Sequence, residues 1–457
     1  MTIQLASSIR WIPSIVQRVR SDSLIRNSIY LMASTVVTAG LGYVFWIIAA
    51  HVYTHQEIGI GSAVISLCTT VALFIYLGPC AMLIERLPTN EYTPAWSTLL
   101  LRMCVATACI TLVVTAIAVP VLRASADYRL FFSAVLPVML VLVGAPAWSL
   151  VNVLSAAFVA ARRAGRFLSM QTLISAAKLL LVLPLAAARA GVTGLVAAWV
   201  ASAVIGVGIG VIWLIPRMRL GRRPGRRQHR ELGTRLAGRL RRGRHRRPRR
   251  NPRPPNIALM RRLLFHHLTS VGGAVTPLVL PVLVVLRLGA TPNAYFYITW
   301  MMGGIFFTVS PSVSAALFAE GVRAHADLGS VAAKALRMIA VVLIPAMVVM
   351  IAGGRHILGL FGPSYAAAGY GLLVLLAISA LPDAISNVAV AIFRVTERVG
   401  YSSLLNLGIM VVTLVSAWVL MPLLGIVGVG VAWLAAQMLG AIASLPALTH
   451  MRKLAIL

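Results

Sequence analysis

The chain has 457 residues, 60% of them hydrophobic and 11% charged. A water-surrounded domain carries roughly 25% charged residues, so a soluble fold is excluded. The net charge of +31 is concentrated rather than general: nineteen of the 41 Lys and Arg residues lie between Arg217 and Arg262.

In chain order, residues 1–26 form a mixed, basic segment without a cleavable signal pattern. Apolar stretches bounded by charge, Pro or Gly then predict spans starting near Asn27, Ile60, Thr98, Leu130, Phe167 and Val192. Each runs roughly 20 to 25 residues, enough to cross about 30 Å of hydrocarbon. These six make a first bundle over 27–216. The next segment, 217–262, includes GRRPGRRQHRELGTRLAGRLRRGRHRRPRR and lacks the apolar content to fold, which predicts a disordered linker. A second bundle over 263–448 follows, with spans starting near Leu264, Ala294, Val331, Ala368, Leu404 and Ile426, and then a tail over 449–457. The fold class is therefore all-α, a polytopic membrane protein of about twelve helices in two six-helix bundles.

An even number of spans puts both termini on one side. With that side inward, the inner segments outside the linker hold 16 Lys and Arg and the outer segments five. The basic excess places the termini in the cytoplasm. The linker reads first as a solvated segment that reinforces this topology, and second as a ligand for anionic lipid headgroups. No aromatic residue is interleaved for base stacking, so nucleic acid is not expected as a partner. The four cysteines, Cys68, Cys80, Cys104 and Cys109, lie in or beside apolar spans and read as packing residues.

The two halves repeat each other. Gly191, Gly194, Ala198, Trp199, Ala201 and Gly206 recur as Gly425, Gly428, Ala432, Trp433, Ala435 and Gly440, an offset of 234. Asn152, Val153, Ala156, Phe158, Arg163 and Gly165 recur as Asn387, Val388, Ala391, Phe393, Arg398 and Gly400, an offset of 235. Six helices per half give both halves the same topology, with a pseudo-two-fold axis along the membrane normal and a cavity between them. That architecture points to a transporter.

Ionisable groups inside spans are costly, about 2.5 to 3.5 kcal/mol on insertion scales, and mark function by default. Lys178 lies in the fifth span with Gln171 and Ser175 on its face, and is the leading candidate for lining a central cavity. Asp383, in the tenth span after Pro382, is a coupling candidate, and Asn387 and Arg394 continue its face. Arg26, Arg86 and Arg102 sit at the inner ends of the first three spans. They read either as interfacial anchors or as a vestibule that captures phosphate, for which forked guanidinium donors are suited. The repeated Asn152 and Asn387 complete the substrate-binding candidates. His51 and His55 are close in sequence, but no carboxylate cluster joins them beyond Glu57, and no metal or cofactor is expected. Prolines 137, 146, 184, 277 and 281 within spans are compatible with hinges or with static kinks.

One stretch carries a resemblance. SDSLIRNSIYLMASTVVTAGLGYVFWIIAAHVYTHQEIGIGSAVIS, from Ser21, followed by LGPCAMLIERLP, resembles the opening of bacterial polysaccharide-biosynthesis membrane proteins. The likeness continues through Ala316 to Gly321 and the repeated G-x-x-G-x-x-x-A-W segments, and fails in the basic linker. These are lipid-linked oligosaccharide flippases of the multidrug/oligosaccharidyl-lipid/polysaccharide exporter superfamily. The resemblance implies two six-helix bundles working by alternating access in the bacterial inner membrane. It implies a polyprenyl-diphosphate-linked oligosaccharide as cargo, and surface-polysaccharide synthesis enzymes as further partners. A cationic cavity suits that cargo, because an unpaired charged headgroup cannot enter hydrocarbon. No bond is made or broken in such a scheme. Two rivals stand beside it: an ion-coupled small-molecule exporter of the same fold, which wants acidic cavity residues, and a membrane-embedded glycosyltransferase or polymerase. The second would want a sizeable extracytoplasmic loop, and none is long enough. A non-transporting scaffold is a third.

Overall fold

The computed structural model describes residues 23–86, 94–220, 256–314 and 328–454. The helices are α1 (Ser23–Val52), α2 (His55–Arg86), α3 (Pro94–Leu122), the short α4 (Ala126–Phe131), α5 (Val135–Ala160), α6 (Ala164–Ala187) and α7 (Gly191–Leu220). After the linker come α8 (Asn256–Leu288), α9 (Ala290–Gly303), α10 (306–314), α11 (Leu328–Gly359), α12 (Pro363–Val395), α13 (Val399–Leu424) and α14 (Ile426–Leu454). Among the described residues, twelve spans are long and apolar enough to cross a membrane, the shortest of 21 residues. The expected linker is helical at both ends, since α7 runs to Leu220 and α8 begins at Asn256. Its remainder, and the Ala316 to Gly321 stretch, lie outside the described residues.

Two predicted spans differ in detail. The fourth starts at Val135 rather than near Leu130, because Leu130 and Phe131 belong to α4. Arg123 closes the loop around α4 by donating from Nη2 to the Phe132 carbonyl at 2.8 Å. The eighth is broken, with α9 ending at Gly303 and α10 starting at 306. The span prolines sit inside continuous helices, including Pro146, Pro184, Pro277 and Pro281. Of the cysteines, Cys68 is buried while Cys109 faces outward on α3, so packing explains the first and not the second.

The repeat is structural. In the first half α1 packs on α6, α2 and α3 on α5, and α5 and α6 on α7. In the second half α8 packs on α13, α9 and α11 on α12, and α12 and α13 on α14, pair for pair. Trp199 meets Trp148 edge-on at 5.1 Å, and its counterpart Trp433 meets Trp300 edge-on at 5.2 Å. Gly206 receives the Ile174 side chain and Gly440 the Ile409 side chain, so a methyl group at either would collide. The turns recur too: Gly191 and Gly425 open the sixth and twelfth spans with φ of +55° and +59°, a left-handed conformation that glycine adopts without a Cβ clash.

The halves meet along α2, which packs on α8 and α9, and at the end remote from the termini. There one apolar cluster joins Phe45, Trp46 and Ile58 of the first half to Ala290, Ile298 and Tyr365 of the second. The other clusters each belong to a single half. Lipid tails are as apolar as the side chains, so close packing of small residues and interhelical hydrogen bonds hold such a bundle together.

Candidate functional site

Lys178 lies about 21 Å along α6, whose length is about 36 Å at 1.5 Å per residue. It stands on one helical face with Gln171 and Ser175. Ser175 is buried, Gln171 and Lys178 are half-buried, and Gln171 Oε1 is buried without a hydrogen-bond partner. Because α6 packs on α1, the Lys178 ammonium reaches the Phe45 ring, with Nζ 5.8 Å from its centroid. A cation over a ring within about 6 Å is attracted by the ring quadrupole. Among the described residues, Lys178 has no carboxylate partner.

An aromatic chain links this cation to the other half. Phe45 meets Trp46 edge-on at 5.2 Å, and Trp46 packs on Tyr297 of α9 at 4.7 Å. One turn further from the remote end, the Tyr43 hydroxyl donates to the Met301 carbonyl at 3.2 Å.

Above Lys178 the halves are sealed. Gly59 lies so close to the Ala290 carbonyl that no Cβ could stand there. Asn293 donates from Nδ2 to the Gly59 carbonyl at 2.7 Å and to Ser62 Oγ at 3.1 Å. His55 Nε2 lies 2.9 Å from Ser364 Oγ, and its ring packs on Tyr295 and Tyr365. His51 instead turns back to its own helix at the Ile47 carbonyl, so the two histidines do not converge. Thr54 and Glu57 cap α2 reciprocally, with backbone N–H groups donating to Glu57 Oε2 at 2.8 Å and Thr54 Oγ1 at 3.3 Å. Outside the spans, burial and the neighbouring Asp127 push the Tyr128 phenol above its ordinary range, and burial and Glu57 do the same for Tyr53. Both therefore keep their protons, and Tyr53 uses its own to bind the Val182 carbonyl at 3.3 Å. Towards the termini α2 continues along α8 of the other half. Phe74 of α2 meets His267 of α8 edge-on at 5.7 Å, while Ile29, Met32 and Val36 of α1 are exposed.

Asp383 is buried within the second half, and its Oδ2 has no hydrogen-bond partner. Asn387 turns its Nδ2 back to the Asp383 carbonyl at 3.0 Å. The Ser310 hydroxyl faces the Asp383 carboxyl group, and the hydroxyls of Ser314 and Ser386 in the same half are buried without partners. The other expected residues are dispersed. Asn152 is half-buried on α5, and Arg102 is exposed on α3, a helix packed mainly on α5. Arg26 and Arg86 fall at the terminus-side ends of α1 and α2, and their side chains lie outside the described residues. Lys178 and Asp383 thus sit in different halves, and the geometry does not gather the predicted set into one cluster. The seal, with Gly59, Asn293, His55 and Ser364, went unread in the sequence. Its one signal was polar residues in apolar spans at corresponding ends.

The fold is shared with solved membrane transporters. No family model matches the sequence, and no characterised protein matches it in sequence. Among solved structures, an inward-facing multidrug resistance MATE family transporter of the MOP superfamily matches with a TM-score of 0.65 at 16% identity, covering 95% of this chain and 99% of that one. The lipid II flippase MurJ, in an inward closed conformation, matches with a TM-score of 0.64 at 11% identity, covering 92% and 87%. An outward-facing MATE family transporter gives 0.56 at 15% identity, covering 96% and 98%.

Proposed function

We propose that this chain is a flippase that carries a polyprenyl-diphosphate-linked oligosaccharide across the bacterial inner membrane by alternating access, feeding surface-polysaccharide assembly. In this reading both termini are cytoplasmic, and residues 27–216 and 263–448 are the moving bundles. The segment 217–262 rests on anionic headgroups, and surface-polysaccharide synthesis enzymes supply the cargo.

The observation that carries the reading is Lys178, a cation inside the membrane with an aromatic ring and no carboxylate beside it. A diphosphate headgroup supplies the missing anion, and charge-assisted hydrogen bonds to it are about twice as strong as neutral ones. The sealed remote end defines one of the two states that the cycle requires. Asp383, with one carboxylate oxygen lacking a partner, is the group whose loading with a proton or cation drives the return. That same residue favours a second reading, an ion-coupled exporter of small cationic molecules.

The test uses proteoliposomes carrying a fluorescent polyprenyl-diphosphate oligosaccharide. Protein-dependent exposure of the sugar on the opposite face, lost in Lys178→Ala, is the expected result. Efflux of a cationic dye without sugar movement would favour the second reading. Chain elongation of the sugar would overturn the transport reading.

A further inference from the structure

A groove of about 340 Å³ runs up the second half between α13 and α14, closed at one end by Phe393 of α12. We propose that it seats the first isoprenoid units of the cargo lipid, with Arg394 and Arg398 holding the phosphate at its mouth. The assignment rests on the flippase reading, and three observations carry it.

The first is length. The α13 wall runs from Tyr401 to Val412, about 16 Å at 1.5 Å per residue. That is close to half of a hydrocarbon core of about 30 Å, so the groove serves one leaflet, on the side of the termini. Tyr401, exposed and stacked on Phe393 at 5.7 Å, marks the interfacial end, where amphipathic rings settle.

The second is charge. Arg394 is half-buried with its Nε shielded and without a partner, and Arg398 is exposed at the start of α13. Neither has an ion pair among the described residues. Glu397, between them in sequence, has a partner of its own. A shielded guanidinium without an anion calls for one, and phosphate matches its forked donors.

The third is the contrast between the halves. In the first half the same positions are filled. Phe158, the counterpart of Phe393, is fully buried and meets Trp213 edge-on at 6.3 Å. Arg166, the counterpart of Tyr401, donates from Nη1 to the Trp213 carbonyl at 2.8 Å and pins α6 to α7. The groove is therefore not a by-product of the repeat. Gly408 has nothing within 4 Å of where a Cβ would stand, and with the outward-facing Ala443 it leaves width for a methyl-branched chain rather than a straight one.

The experiment uses the full chain in nanodiscs with a diazirine-bearing polyprenyl phosphate, and in parallel a diazirine-bearing phosphatidylglycerol, with labelled peptides mapped by mass spectrometry. The polyprenyl probe should label peptides containing Tyr401, Val412 and Ala443, and unlabelled polyprenyl phosphate should compete where phosphatidylglycerol does not. Gly408→Leu should fold, since leucine favours a helix more than glycine and the space is open. Its labelling should fall by about tenfold, as single-methylene misfits in apolar sites commonly do; Ala443→Leu repeats the test, and Arg394→Gln should weaken competition by the phosphate. Equal labelling by both probes, with competition by phosphatidylglycerol, would mean ordinary lipid contact and overturn the assignment. So would undiminished labelling of monodisperse Gly408→Leu and Ala443→Leu. Competed labelling without translocation in proteoliposomes would sink the flippase reading and leave the groove assignment standing.

Discussion

Lys178 combines an insertion cost with a single weak partner, the Phe45 ring. Its replacement by Ala should leave expression unchanged while weakening apparent affinity for the diphosphate cargo by ten- to hundredfold, from the loss of about 1.5 to 3 kcal/mol of charge-assisted bonding. Lys178→Arg, which keeps the charge, should recover part of it; a dose-response of translocation against cargo concentration checks both. Asp383→Asn removes a buried carboxylate of the second half whose Oδ2 lacks a partner among the described residues. It should stop uptake driven by an ion gradient while sparing exchange of cargo at equilibrium, measured in proteoliposomes with and without the gradient. Both residues were legible in the sequence, because an ionisable side chain in an apolar span is conspicuous. Their surroundings were not. That Lys178 faces Phe45, and that Arg102 points away from the bundle, follows from which helices pair, and nothing local in the sequence encodes that.

At the scale of the helix, the contact of α2 with α9 depends on Gly59 and Asn293. A Cβ at Gly59 would overlap the Ala290 carbonyl, which is backbone and cannot step aside. Gly59→Ala should therefore disfavour the sealed state. Spin labels placed on the remote ends of α2 and α12 would report a longer distance by pulsed electron resonance, and an unchanged distance would contradict the steric argument. Asn293→Ala removes two bonds between the halves. Interhelical bonds in membranes average about 0.6 kcal/mol, so the same distance should shift in population by only a few-fold. The spans themselves were readable from apolar length, and their repeat from the shared Trp, Asn and Phe positions. The seal was not, because its partners lie 234 and 309 positions apart and His55, Ser364 and Asn293 are unremarkable residues when taken singly. The broken eighth span was also hidden, since the Gly303–Gly304 pair resembles many helix-compatible glycine pairs in membranes.

For the whole molecule, one apolar cluster spans both halves and the other three each belong to a single half. His55→Cys with Ser364→Cys places thiols on the two sides of the seal, separated by about the reach of the lost imidazole, so a short bifunctional methanethiosulfonate should bridge them. Turnover should stop on cross-linking and return on reduction, as a cycle between two states requires. Continued turnover with the cross-link formed would show that the seal does not open during transport.

The seal's position also sets the mechanical advantage of the molecule. From Gly59 to Arg86, α2 extends about 40 Å, and its contact with the other half at Phe74 and His267 must part as it swings. A rigid arm of that length opens or shuts a 10 Å mouth by turning through roughly 14°. The short, polar, glycine-dependent contact acts as the fulcrum, and the long apolar helices act as levers.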